Sequence, residues 1–398
     1  MERRIYLDHA ATTPLDPRVL EAMLPYLTTI TGNPSSVHRE GREARKGLDA
    51  ARREVAAVLG TRPAEVVFTA SGSEADALAI RGVVEAVSAR SPHVITSAIE
   101  HHAVLHTVQD LERRGRCRVS YVPVDAEGFV DPDAVAAAVT EDTVLVSVMY
   151  ANNEVGTIEP VADIARAVKR RNPHTLVHTD AVQAAGALDL DINRLGVDLL
   201  SLAAHKFYGP KGVGALYVRD GVRLAPLVRG GSQERNRRAG TENVAGAVGL
   251  AAALRLAYAE LDARTRHCAR LRDRLLHEIP ARIPGVRVNG PRHGALRLPN
   301  NVNCSIVGIE IEALLLGLDL AGIAASNGAA CTSGALEPSH VLIAMGLPEE
   351  LARNSLRLTL GKDTTDEDIE RVLAVLPPLV ARLRAATAPA LAVAPESR

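Results

Sequence analysis

Apolar positions over the first two-thirds of the chain follow two alternating patterns. Short runs nearly continuous in Val, Ile, Leu and Ala occupy residues 65–69, 93–97, 118–124, 143–150, 175–180, 198–203 and 214–218. Between most of them the spacing shifts to three and four residues, as over 74–89, 103–114 and 161–171, which predicts helices. A strand buried on both faces loses the apolar–polar alternation of a half-exposed one. The seven runs therefore predict a mainly parallel sheet covered by helices, an α/β fold.

A long Ala/Leu/Arg-rich segment, 244–279, reads as one extended helix, and beyond it the character changes. Residues 285–289, 301–306, 323–326 and 356–360 predict strands of a second, smaller sheet, separated by helices over 310–320, 338–345 and 365–376. This pattern suggests a large domain at 15–258 and a smaller α+β domain at 1–14 plus 259–385. The Ala/Pro-rich tail 386–398 is expected to lack fixed structure.

Composition narrows the function classes. With 46 Lys+Arg against 47 Asp+Glu, the net charge is −1, so neither nucleic acid nor an anionic membrane is an expected partner. The opening Met1-Glu-Arg-Arg-Ile-Tyr-Leu-Asp8 lacks the apolar run of a signal peptide, and no stretch reaches the length of a transmembrane helix. Cys117, Cys268, Cys304 and Cys331 form neither a CxxC pair nor a disulfide framework, and a reducing cytoplasm is the expected compartment. Only five residues are lysines (Lys46, Lys169, Lys206, Lys211 and Lys362), so a lysine in an unusual place stands out.

Three segments carry candidate chemistry. In Thr69-Ala-Ser-Gly-Ser-Glu74 a strand gives way to a helix start. Free N–H groups at the positive end of that helix make an anion site to which Ser73 adds a hydroxyl and which Gly72 lets a ligand approach. An ordinary N-capped helix start accounts for the segment when it stands alone. In His178-Thr-Asp-Ala-Val-Gln183, Asp180 ends a strand, where α/β folds place functional groups, with Gln183 three residues on. An Asp capping a following helix is the plain alternative. In Ser201-Leu-Ala-Ala-His-Lys206-Phe-Tyr-Gly-Pro-Lys-Gly212 a strand delivers His205 and Lys206 to its end. Burial there depresses an ammonium pKa and frees the amine for Schiff-base chemistry. A phosphate cup, a carboxylate for a pyridinium nitrogen and a Schiff-base lysine, in this order, make up a pyridoxal 5'-phosphate (PLP) site.

From Tyr6-Leu-Asp-His-Ala-Ala-Thr-Thr-Pro-Leu-Asp-Pro17 to Ser355-Leu-Arg-Leu-Thr-Leu-Gly361 the sequence resembles the cysteine desulfurases of the NifS/IscS type, within PLP fold type I. The resemblance implies that Lys206 carries the cofactor, Asp180 partners the pyridinium and Gln183 donates to the phenolic oxygen. His101, in Ile99-Glu-His-His-Ala-Val104, matches the imidazole stacked on the ring, and Asn153 a residue near cofactor and substrate carboxylate. Gly72, Ser73 and His205 match the phosphate cup. Thr241 matches a phosphate ligand supplied by the other subunit of a homodimer. Arg357 matches the clamp on the substrate α-carboxylate, and Asn33 a constrained loop at the site.

Cys331 lies in a stretch of small and turn-forming residues, 326–339, expected to be a mobile loop. It matches the family's catalytic cysteine. The implied reaction takes sulfur from free L-cysteine onto Cys331 as a persulfide, releases L-alanine, and hands the sulfur to an acceptor such as an iron–sulfur scaffold or a tRNA-thiolating enzyme. Three departures stand out: Ala203 replaces a serine, Ala77 replaces an asparagine, and the cup glycine slides by one position. Competing readings are another fold-type I reaction, such as an aminotransferase or selenocysteine lyase, and a degenerate desulfurase that only relays sulfur. A nucleotide-binding module would need an early glycine-rich fingerprint, which is missing.

Overall fold

The computed structural model describes residues 4–88, 91–328 and 337–387. Its main sheet has seven strands in the order Val66–Thr69, Gly214–Val218, Leu199–Ala203, Leu176–Asp180, Thr143–Ser147, His93–Ser97 and Arg118–Val122. The last five run parallel, and Gly214–Val218 is antiparallel to both neighbours. Successive residues of one strand point to opposite faces of the sheet: Val66 and Phe68 join one apolar cluster while Val67 joins the other, and Leu200 and Leu202 oppose Leu199. Burial on both faces is the reason these runs do not alternate. The predicted strand 143–150 ends at Ser147, as the chain leaves the sheet to build the cavity wall.

Two helices, Pro17–Thr28 and Arg39–Leu59, escaped the apolar pattern. Asp16 caps the first by accepting the Arg18 N–H at 3.0 Å, and Gly60 closes the second in the left-handed conformation. Both pack against the helix Val244–Ala259. The segment expected as one helix from 244 is two, Val244–Ala259 and Leu261–Arg282, meeting at 71°. Glu260 sits at the break and accepts from Arg18 and Arg264, a pairing that links residues 242 positions apart. Among the described residues no single helix is long and apolar enough to cross a membrane.

A buried pair braces the segment leading to Thr241. Arg52 meets Glu234 in a bidentate bridge at 2.6 and 2.7 Å, and Glu234 also accepts the Phe68 N–H at 3.0 Å. Glu234, Arg235 and Asn236 all hold positive φ (45°, 56° and 63°), a conformation non-glycine residues adopt only when their surroundings enforce it. Replacing Arg52 by alanine strands the Glu234 carboxylate and is expected to cost about 3–5 kcal/mol of stability, read as a lower urea midpoint. A loss below about 1 kcal/mol, the worth of an exposed pair, would contradict this.

A second core gathers Ile5 and Leu7 with residues from Cys268 to Val380. Its antiparallel sheet runs Ser355–Thr359, Asn301–Ile306, Val286–Val288. Ile323–Ala324, expected in that sheet, pairs instead in parallel with Ile5–Tyr6, because the N-terminal segment crosses back onto this core. The final helix, Asp366–Thr387, runs through Pro377 and Pro378 because Leu379 and Val380 still pack into the core. Ala386 and Thr387, assigned to the tail, are therefore helical, and 388–398 lie outside the described residues.

Candidate active site

Segments leaving the strand ends of the main sheet converge with Arg357 of the second sheet on a cavity of about 490 Å³. Asp180 is the last residue of its strand, and Lys206 ends the short turn Ala204–Lys206 after Leu199–Ala203. His101 and Asn153 lie beyond the ends of the strands His93–Ser97 and Thr143–Ser147. Gly72, Ser73, His101, Asn153, Asp180, Gln183, His205, Lys206 and Arg357 all line this one space.

The Lys206 ammonium is pulled down to about 8, first by burial and then by the Arg357 charge. About one molecule in ten then carries a free amine at pH 7, against fewer than one in a thousand for an ordinary lysine. Its Nζ donates to the carbonyls of Ala10 (2.5 Å) and Ala11 (2.9 Å). Three buried carboxylates face the same space, Asp180, Asp76 and Glu154, and the first two interact directly through their charges. Burial raises both of these two, but Asp180 accepts the Val182 N–H at 2.9 Å and feels Lys206, whereas Asp76 is raised further by the charge of Asp180. Asp180 therefore ionises first and Asp76 holds its proton. Beneath them His178 is kept neutral by burial, its ring nitrogens 2.8 and 3.0 Å from the hydroxyls of Ser147 and Ser201.

His101 caps the helix His102–Arg113, its Nδ1 accepting the Ala103 N–H at 3.1 Å. Burial and the Lys206 charge push it down to about 4, so the ring is neutral. Gln183 donates to Ala10 O at 2.9 Å from a turn after Asp180; the chain makes turns rather than a helix directly after that strand, which removes the capping alternative. His205 Nδ1 lies 3.1 Å from the Thr12 hydroxyl. Arg357 donates to Asp8 Oδ1 (2.9 Å) and Asn153 O (3.1 Å), while its buried Nε has no partner.

The cup is built from the helix Gly72–Ala86, whose N-cap Ser71 accepts the Glu74 N–H at 3.1 Å. Gly72 has a packing purpose beside the one its sequence suggested. A Cβ there would lie 2.8 Å from Val182 Cγ2 and 3.2 Å from Ala203 Cβ, so glycine packs the helix start against the sheet. Gly214 does the same from the other side, since a Cβ would meet Leu202 O and the Ser71 backbone at 2.6 Å. Ala203 lines the cavity without a hydroxyl, and Ala77 lines a neighbouring one.

Asn33 and Thr241 are both exposed and do not line the cavity within a single chain. Cys331 and the centre of its segment lie outside the described residues, but Gly328 and His340, on either side, both line the cavity. Cys117 and Cys268 have arginine neighbours that could lower a thiol pKa, yet both are buried and pushed up to about 11, and Cys304 to about 12. At Cys268 desolvation outweighs Arg264 and Arg272, and at Cys117 the Glu112 charge adds to the burial. Sequence reasoning assigned no role to Asp8, Asp76 or Glu154, all in the cavity wall, although Asp8 and Glu154 stand within the Tyr6–Pro17 and Ala151–Gly156 motifs.

The wall fits a phosphorylated pyridine aldehyde: an amine at one side, an ionised carboxylate, a neutral imidazole, and a helix N-terminus for the phosphate. The buried Asp76 Oδ1, without a partner, adds an unmet acceptor in the same wall.

Comparison with known proteins agrees. The Aminotransferase class-V family profile matches residues 5–372. Cysteine desulfurase IscS of Dictyoglomus turgidum is 50% identical over 384 residues, 96% of each chain. The IscS enzyme of Clostridium botulinum matches at the same identity and coverage. A solved NifS-like protein superposes with a TM-score of 0.89 at 40% identity, over 96% of this chain and all of the other.

Proposed function

The chain belongs to the cysteine desulfurases of the class-V aminotransferase family, and on that premise we propose how its own residues carry the reaction. It converts L-cysteine to L-alanine and passes the sulfur to an acceptor protein. The observation that carries the residue assignment is Lys206, an amine with its pKa lowered at a strand end, beside an ionised Asp180 and across the cavity from Arg357.

PLP, when bound, supplies an electrophilic carbonyl carbon and a conjugated ring that accepts an electron pair. Lys206 holds it and, once free, moves protons at the substrate α-carbon. Asp180 would keep the ring nitrogen protonated, and the neutral His101 would lie against the ring. Gln183 would donate to the phenolic oxygen, while the N–H groups of Gly72 and Ser73, with His205, would hold the phosphate. Arg357, in the cavity wall, takes the α-carboxylate with its guanidinium, with Asn153 beside it. The Cys331 thiolate attacks the substrate sulfur, the carbon–sulfur bond breaks, and its electron pair passes to carbon, which is then protonated to alanine.

The active species in this reading is a homodimer in which Thr241 completes the neighbour's phosphate site and Asn33 borders the substrate entrance. Supporting it are the exposure of Thr241 and an exposed apolar stripe, Leu20, Leu24 and Leu27, on one face of Pro17–Thr28. The two cores support a large domain at 15–258 and a small one at 1–14 plus 259–385. The acceptor is an iron–sulfur scaffold or a tRNA-thiolating enzyme, and the setting is cytoplasmic, as three free, buried cysteines suggest.

Incubation with L-cysteine tests the reading. Without reductant, alanine should stop after about one equivalent per chain, because the sulfur stays on the protein. With a thiol reductant, alanine and sulfide should accumulate together. Pyruvate and ammonia in place of alanine would identify a β-lyase.

A further inference from the structure

One carboxylate in the cavity wall has no part in the chemistry above. Glu154 follows Asn153 and is 3% exposed. Its N–H donates to Asn152 Oδ1 at 2.8 Å, and its carbonyl accepts from Asn301 Nδ2 (3.0 Å) and Asn303 Nδ2 (3.1 Å). Its Oε2 accepts from the Ser339 hydroxyl, whose oxygen in turn accepts the Leu342 N–H at 3.1 Å. The backbone is thus pinned from both cores, and the one proton of Ser339 is committed to the carboxylate.

Arg357 lies within electrostatic reach of Glu154. The guanidinium is already bonded to Asp8, and its Nη1 donates to Asn153 O, adjacent to Glu154. One cation and the Asp8 anion sum to zero charge. With Glu154 neutral the group can receive a carboxylate; with Glu154 ionised it carries a net negative charge and repels one. Burial raises Glu154 to about 7, against the opposing pull of Ser339 and Arg357, so both states are populated near neutrality. The other titratable groups around the cavity are Asp8, Asp76, His101, His102, Asp180, His205, Lys206 and His340.

We propose that Glu154 is a specificity-determining residue of the amino-acid site, its charge state setting how strongly Arg357, already paired with Asp8, receives the α-carboxylate. The inference rests on the reading of Arg357 as the carboxylate clamp. As pH rises through about 7, Glu154 ionises and amino-acid affinity falls. Glutamine at this position stays neutral and keeps an oxygen to accept from Ser339.

The test is the affinity of the holoenzyme for its product L-alanine, whose own charges stay fixed from about pH 6 to 8.5, in wild type, Glu154→Gln and Arg357→Lys. Wild-type affinity should weaken by about three- to tenfold across the range, a modest Coulomb repulsion between partly screened charges. Glu154→Gln should flatten that slope and bind L-alanine more tightly than wild type at the alkaline end. A residue that merely anchored Ser339 would weaken binding at every pH. Wild-type affinity that does not change with pH, or a Glu154→Gln slope equal to wild type, overturns the inference, the former whether or not the variant folds. Arg357→Lys should lose affinity at every pH. If it does not, the clamp reading fails separately.

Discussion

Alanine in place of Lys206 is expected to lower kcat/KM by about 10³-fold or more, since it removes both the cofactor's tether and the proton carrier. The purified variant should also lack the yellow absorption of a lysine-bound PLP. The effect is large because no second amine can take over. Lys211, the nearest in sequence, is exposed, and only Lys206 combines burial with a cation neighbour that lowers its pKa to about 8. Activity that needs the free amine rises with pH and levels off above about 8, because deprotonation populates the competent form. An unchanged spectrum in the variant would move the Schiff base to another lysine.

Cys331→Ser is expected to bind PLP and L-cysteine yet form alanine at below about 1% of the wild-type rate, because a hydroxyl cannot accept the sulfur. No other cysteine can substitute: Cys117, Cys268 and Cys304 are buried with pKa values pushed to about 11, 11 and 12, so their nucleophilic thiolate is scarce. Gly328 and His340 line the cavity on either side of the segment bearing Cys331, close to where a bound amino acid would present its sulfur. Alanine formation that survives in the variant would replace the Cys331 persulfide route with a reaction of the selenocysteine-lyase kind, which needs no acceptor thiol at this position.

The main sheet was legible because its strands are buried on both faces, and that leaves mostly apolar runs at Leu199–Ala203 and, in its antiparallel strand, at Gly214–Val218. Lys206 was legible through the rarity of lysine in this chain and its place after such a run. Arg39–Leu59 was not, because its buried face includes Ala44, Gly47, Ala51 and Ala56, residues too small for a strong apolar signal. The 71° bend at Glu260 has no local marker; Arg18, far away in sequence, helps set it. Asp76 and Glu154 read as ordinary helix and loop acids, since only the tertiary fold buries them. Gly72 also has a packing role that its sequence did not signal: its missing Cβ makes room for Val182 and Ala203.

The central claim is that sulfur leaves L-cysteine onto Cys331. Mass spectrometry after brief exposure of the holoenzyme to L-cysteine, without reductant, tests it most directly. The account predicts one added sulfur atom on the peptide containing Cys331, in amount equal to the alanine released, with Cys117, Cys268 and Cys304 unmodified. Alanine released in full while the Cys331 peptide keeps its original mass would contradict it.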